Sequence, residues 1–132
     1  MNDKVPLARG WFRKADSDLL TGNRLLESGG PFDTACFHAQ QAIEKYLKGV
    51  LTLAGLPFPF THNLEQLQRI GEVKVIDWPF KAMELDELTS YAVQIRYDFE
   101  FWPDKETAAQ ALRLAGEVRS RTMKFAPEDA HP

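Results

Sequence analysis

Apolar residues recur along this chain at helical spacing, and no stretch keeps the two-residue alternation of a strand. The pattern predicts a first helix from about Pro6 to Ser28, with Ala8, Trp11, Phe12, Ala15, Leu19 and Leu26 in one stripe and a Ser-Gly-Gly-Pro stop. A second helix is expected from Asp33, as N-cap, to Ala54, with Ala35, Ala39, Ala42, Ile43, Tyr46, Val50 and Leu53 on one face. Gly55 and the connector LPFPFTHN stop it, because proline removes a backbone donor. A short third helix should begin after Asn63, turn Leu64, Leu67 and Ile70 inward and close at Gly71. A fourth is expected from Pro79 to Tyr97 with Asp77 as cap, interrupted by YDFEFWPD. The last runs from Asp104 to Lys124 through Ala108, Ala111, Leu112, Ala115 and Val118, and the tail 125–132 is expected to fray. Together these elements predict one all-α domain over residues 1–132, with its core at about 6–124: an antiparallel up-down bundle of four to five helices.

Composition supports a folded domain. The 132 residues are 44% apolar and 27% charged, enough for one core and unlike a disordered chain. Net charge is −3, which argues against a broadly basic nucleic-acid coat. Acids outnumber bases over 61–100, so any nucleic-acid contact must come from a local basic patch. Cys36 is the single cysteine, which excludes an internal disulfide and a multi-cysteine zinc site and suits a reducing compartment. The N-terminal stretch lacks the apolar run of a signal peptide, and no window is long and apolar enough to span a membrane. The expectation is a cytoplasmic protein.

Several chemistries find no support. A di-iron bundle requires a Glu followed three residues later by His on a helix, and none of the predicted helices carries that spacing. His38, His62 and His131 do not cluster with other ligands in sequence, so no metal site and no cofactor are expected. Phosphate loops, dinucleotide turns, nucleophile elbows and CxxC pairs are absent from the sequence. Cys36 and His38 stand two apart on a helix and point to different sides, which is a poor catalytic pair.

The second helix carries the most informative polar pattern. His38, Gln41, Lys45 and Lys48 follow steps of three, four and three, which aligns them in one stripe with Glu44 beside it. Glu44 and Lys48 are four apart in the favourable order for pairing. Two readings stay open: a solvated helix face, or a groove wall offering ammonium groups to phosphate and an amide to a base.

The chain resembles the HEPN domain family from about Leu7 to Met123. The first helix holds Trp11, Ala15, Asp18 and Leu19 in the family's spacing. The second holds Ala35, Phe37, Ala39, Gln40, Gln41, Ala42, Glu44, Lys45, Leu47, Lys48 and Leu51. Thr61, His62, Leu64 and Leu67 follow as TH.L..L, and a helix ends on Arg96 and Tyr97. The second-helix string together with TH.L is the specific part.

The resemblance implies a helical bundle that dimerises, with the ligand or RNA site in the dimer cleft. Many members are metal-independent RNases, often toxins paired with a minimal nucleotidyltransferase, and others bind nucleotides or serve as non-catalytic modules. The family's RNase motif is an Arg, four to six residues, then a His. Arg96 supplies the first, but Phe101, Trp102 and Pro103 occupy the positions for the second. Metal-free cleavage needs a proton-transfer group, which His suits, and a phosphate clamp, which Arg suits. Asp98 and Glu100 stand nearby as alternative bases, but as anions they repel phosphate. The expected function is therefore a nucleotide- or RNA-binding module, a homodimer paired with a nucleotidyltransferase in a toxin–antitoxin-type system. Its candidate ligand residues are Arg96, Lys45, Lys48, Gln41 and His38, and its candidate dimer residues are Tyr97, Phe99, Phe101 and Trp102. The alternatives are a metal-independent endoribonuclease using Arg96 with His38 or His62, and a scaffold that only binds another protein.

Overall fold

A computed structural model describes residues 3–85, 88, 91, 94 and 97–132 of the chain. The helices whose bounds fall wholly among the described residues are α1 (Lys4–Glu27), α2 (Phe32–Leu53), α3 (Leu64–Lys74) and α4 (Lys105–Phe125), with a short 3-10 turn at Glu128–Ala130. No strand occurs among the described residues, so the chain is all-α.

The turn between α1 and α2 takes only residues 28–31. Gly29 and Gly30 adopt φ of +90° and +114°, a region that a side chain would strain. That reversal lays α1 and α2 antiparallel along their length. Phe12 meets Gly49 near one end, and Gly22 meets Ala35 near the other. A Cβ on Gly49 would lie 2.3 Å from the Phe12 ring, so glycine is what lets the two helices approach there. α4 runs antiparallel to α1, with Leu112 against Gly22 and Arg119 beside Asp16. Its Ala108, Ala111, Leu112, Ala115 and Val118 are buried, as the spacing predicted.

α2 is the central helix. α1, α4 and α3 all pack against it, so burial extends well beyond its apolar stripe to Cys36, Gln40, Glu44, Leu47, Lys48, Gly49 and Leu51. A one-sided wheel therefore understates this helix: coverage from several sides buries its polar positions too. Its N-cap is the extended Pro31 rather than Asp33, which sits in the first turn where its charge complements the helix dipole.

Three further differences from the sequence expectations have local causes. α3 starts as expected, with the Asn63 side chain accepting from the Gln66 N–H at 3.0 Å. It does not close at Gly71 but continues to Lys74. Gly71 is buried because the Trp78 ring lies where its Cβ would be, 2.2 Å away. No helix begins at Pro79, and Asp77 caps nothing; residues 79–85 form turns and irregular backbone. Trp78 and Phe80 are both buried and meet edge to face at 5.1 Å. Two residues apart on a helix, they would point to different sides. Gln68 supports this non-helical route by accepting from Trp78 Nε1 at 2.7 Å and donating to the carbonyls of Phe80 at 2.6 Å and Met83 at 3.2 Å. Helical backbone is present at Leu88, Tyr91, Gln94 and Tyr97.

The tail does not fray. Ala126 and Ala130 are buried, and Arg9 of α1 donates twice to the Asp129 carbonyl, at 3.0 and 2.6 Å. His131 Nε2 lies 3.0 Å from the carbonyls of both Met123 and Ala126.

Candidate functional site

The polar residues of α2 gather into two clusters where it meets α1 and the 54–63 connector. In the first, Asp18 of α1 lies 2.8 Å from His38 Nδ1 and 2.5 Å from Lys45 Nζ, one carboxylate oxygen to each. All three side chains are only partly exposed. In the second, Glu44 accepts from Lys48 Nζ at 3.0 Å, faces His62 Nδ1 at 2.9 Å and takes a longer contact of 3.4 Å from Gln40 Nε2. Gln40 also donates to the His62 carbonyl at 3.1 Å, and Gln41 donates to Gln40 Oε1 at 2.8 Å.

The Glu44–Lys48 pair follows the expected i to i+4 geometry, but it is not on a solvated face: the two side chains are 3% and 5% exposed. Lys48 Nζ also sits 5.5 Å from the Trp11 ring centre and 5.9 Å from those of Phe58 and Phe60. An ammonium so placed is held by its counter-charge and by three ring faces. His62 joins the connector to α2 through Glu44, while Asn63 caps α3.

A third network links α1, α2 and α4. The Tyr46 hydroxyl donates to Asp16, which also accepts from Arg119 Nε at 2.9 Å and from its terminal nitrogen at 3.3 Å. Burial, and then the hydrogen bond to Asp16, push the Tyr46 hydroxyl well above the usual tyrosine range. The Asp16 bond correspondingly holds the Arg119 guanidinium in its charged form more firmly. Cys36 is pushed up to about 11, first by burial and then by Asp33 and Asp104, so it is a packed thiol rather than a nucleophile. Glu128 and His131 do stand three apart, but on a 3-10 turn with the imidazole beside two carbonyls. Among the described residues no group of three metal-ligating side chains comes together.

A further feature is an open cleft of about 640 Å³ beside the segment that precedes α4. Its lining includes Tyr91, Asp98, Glu100, Phe101, Trp102 and Gln110. Phe101 packs on Tyr91 with ring centres 5.5 Å apart. Tyr97, Phe99 and Trp102 are left 75%, 84% and 74% exposed. Asp104 then caps α4, accepting from the Thr107 N–H at 2.8 Å, and this bond holds its carboxyl below the usual range.

Of the sequence-predicted ligand residues, His38 and Lys45 meet at Asp18, Lys48 is enclosed with Glu44, and Gln41 joins the same polar seam through Gln40. Arg96 lies outside the described residues. The sequence reading did not single out Asp16, Tyr91, Thr107, Gln110 or Arg119. Spacing within one helix gives no signal for Asp16, Tyr91 and Arg119, because their partners come from other elements.

A family model of the HEPN domain matches residues 8–125. The chain belongs to the HEPN domain family. That match covers every helix described above except the first turn of α1, and it contains both polar clusters and the aromatic cleft. Searches of curated proteins and of solved structures returned no significant match. No described helix is long and apolar enough to cross a membrane.

Proposed function

We propose that this HEPN protein is a homodimeric nucleotide- or RNA-binding module, working as one half of a toxin–antitoxin-type pair with a minimal nucleotidyltransferase. In this reading it does not cut RNA with the family's usual Arg–His set. The observation that carries it is the segment following Arg96, where Phe101, Trp102 and Pro103 stand in place of the histidine. All three of these residues instead line an open cleft rich in aromatic rings. Aromatic faces suit stacking on bases, and Arg96 suits a phosphate, whereas nothing at those positions titrates near neutral pH. His38, Gln41 and Lys45 reach the surface and can turn toward a ligand; Lys48 can do so only by leaving Glu44.

The test is calorimetric titration of nucleotides and short RNAs at several salt concentrations. Affinity should fall as salt rises, because phosphate contacts release counter-ions, and should fall again in Arg96→Ala. No binding at low salt, or binding indifferent to Arg96→Ala, overturns the reading. Sedimentation at micromolar concentration should show a dimer, and co-purification should recover a nucleotidyltransferase.

One observation favours a second reading, a metal-independent RNase with a displaced catalytic set. Asp18 at 2.8 Å from His38 Nδ1 fixes that imidazole in the manner of an oriented general base. An RNA cleavage assay in chelator decides it: activity abolished by His38→Ala supports this alternative, and absence of cleavage removes it.

A further inference from the structure

We propose that the cleft beside residues 97–103 takes a guanine base, held by its Watson–Crick edge against Glu100 and Asp98 and by its face against Trp102. The inference rests on the nucleotide-or-RNA reading above and names the ligand class of that site.

The cleft combines rings with carboxylates. Its volume of about 640 Å³ is of the size that encloses a small ligand. Phe101 and Tyr91 pack together at 5.5 Å and form a firm aromatic wall, while Trp102 leaves most of its surface open to a stacking partner. Both acids line the same space, and among the described residues that line it none is a lysine or arginine. Asp98 Oδ1 accepts the Glu100 N–H at 3.0 Å and so shapes the turn that carries Glu100. The Glu100 carboxylate itself takes no hydrogen bond among the described residues.

Such a site is wrong for phosphate and right for a planar group rich in donors. Two carboxylates repel an anion but accept hydrogen bonds in pairs. Guanine is the base whose Watson–Crick edge offers adjacent donors, N1–H and the N2 amino group, matched to the two oxygens of a carboxylate. Adenine and cytosine present a ring acceptor at the equivalent position, and uracil flanks its single donor with acceptors. Thr107 and Gln110 from the start of α4 also line the cleft and offer a hydroxyl and an amide to O6 or the ribose, the amide resting now on a long 3.4 Å contact to Glu106. The phosphate then points outward, away from the acids. An arginine side chain of a partner protein shares the planar, forked donor chemistry, but it needs neither a cleft of nucleoside size nor so broad an aromatic face.

The experiment is calorimetric titration of the full chain with GMP, AMP, CMP and UMP at low salt, alongside an arginine-rich peptide. GMP should bind more tightly than the other three by about tenfold or more, the discrimination expected of one bidentate pair. The double variant Asp98→Asn with Glu100→Gln should bring GMP down to the level of AMP without weakening AMP, and Trp102→Ala should weaken all four. Equal affinity for the four nucleotides overturns the guanine assignment while leaving the binding-module reading standing. No binding of any of the four nucleotides overturns the guanine assignment, and no binding of short RNAs either removes the binding-module reading as well. Binding of the peptide in place of the nucleotides identifies the cleft as a protein dock and also overturns the proposal.

Discussion

The seam between α1 and α2 and the mouth before α4 invert the usual placement of residue types. In the seam, Glu44 and Lys48 are almost wholly enclosed, with one hydrogen bond between them and the rings of Trp11, Phe58 and Phe60 near the ammonium. At the mouth, Tyr97, Phe99 and Trp102 lie open to water beside Asp98 and Glu100. Buried charge is costly unless paired, so its retention points to a role in choosing one arrangement of α1, α2 and the connector. Exposed aromatic surface is costly unless covered, so its retention points outward, to a ligand or a second copy. Most of the polar residues by which this chain resembles HEPN proteins fall in the seam, beside Trp11: Asp18, Gln40, Gln41, Glu44, Lys45, Lys48 and His62. In this protein that pattern reads first as a clasp for the fold, and the ligand question moves to the mouth.

The largest effect that would break this contrast is loss of one seam charge. Glu44→Ala strands Lys48 without a counter-ion and should cost about 3–5 kcal/mol in urea denaturation. The paired replacement Glu44→Leu with Lys48→Met should recover most of that loss, because an apolar pair of similar volume often matches a buried ion pair. If Glu44→Ala is as stable as the parent, the clasp does not exist.

Next in size is Gly49→Ala, which drives a methyl into the Phe12 ring and should cost about 1–3 kcal/mol through overpacking. The same urea titration measures it, and a neutral result would mean that α1 and α2 have room to separate.

Tyr46→Phe should cost about 1 kcal/mol by removing one buried hydrogen bond. It also sharpens the comparison through pH. The Tyr46 hydroxyl is raised above its unfolded value, so its contribution is intact below about pH 10 and is lost as pH rises beyond that. Cys36 acts in the same direction, from an ordinary 9.0 toward about 11. Stability should therefore decline above about pH 9, and the Tyr46→Phe variant should decline less steeply.

The smallest stability effect belongs to the mouth. Phe99→Ser and Trp102→Ala should move the urea midpoint by less than about 0.5 kcal/mol equivalent, as surface changes do. The same variants should weaken dimerisation or ligand binding, read by sedimentation and calorimetry. Stability losses as large as those in the seam would show that these rings support the fold instead.

Much of the fold was legible from periodicity. The cores of α1, α2 and α4 follow the predicted apolar spacing, and Asn63 caps the helix it was expected to cap. The local signals misled where a tertiary contact overrode them. Gly71 reads as a helix stop but makes room for the Trp78 ring. The 79–85 segment reads as helix but follows the two buried aromatics and Gln68. The tail reads as loose because its anchor, Arg9, lies at the other end of the chain.

The sequence alone determined the helical class, the order of the elements, the HEPN resemblance and the absence of histidine at residues 101–103. These depend on residue type and spacing along one chain, which sequence records directly. Only the tertiary structure decided what the polar stripe of α2 does. The wheel could align His38, Gln41, Lys45 and Lys48, but it could not supply Asp18 from α1, His62 from the connector or the rings that enclose Lys48. The physical reason is that the environment of a charge is set by partners brought together in space, and those partners lie up to dozens of residues away in sequence.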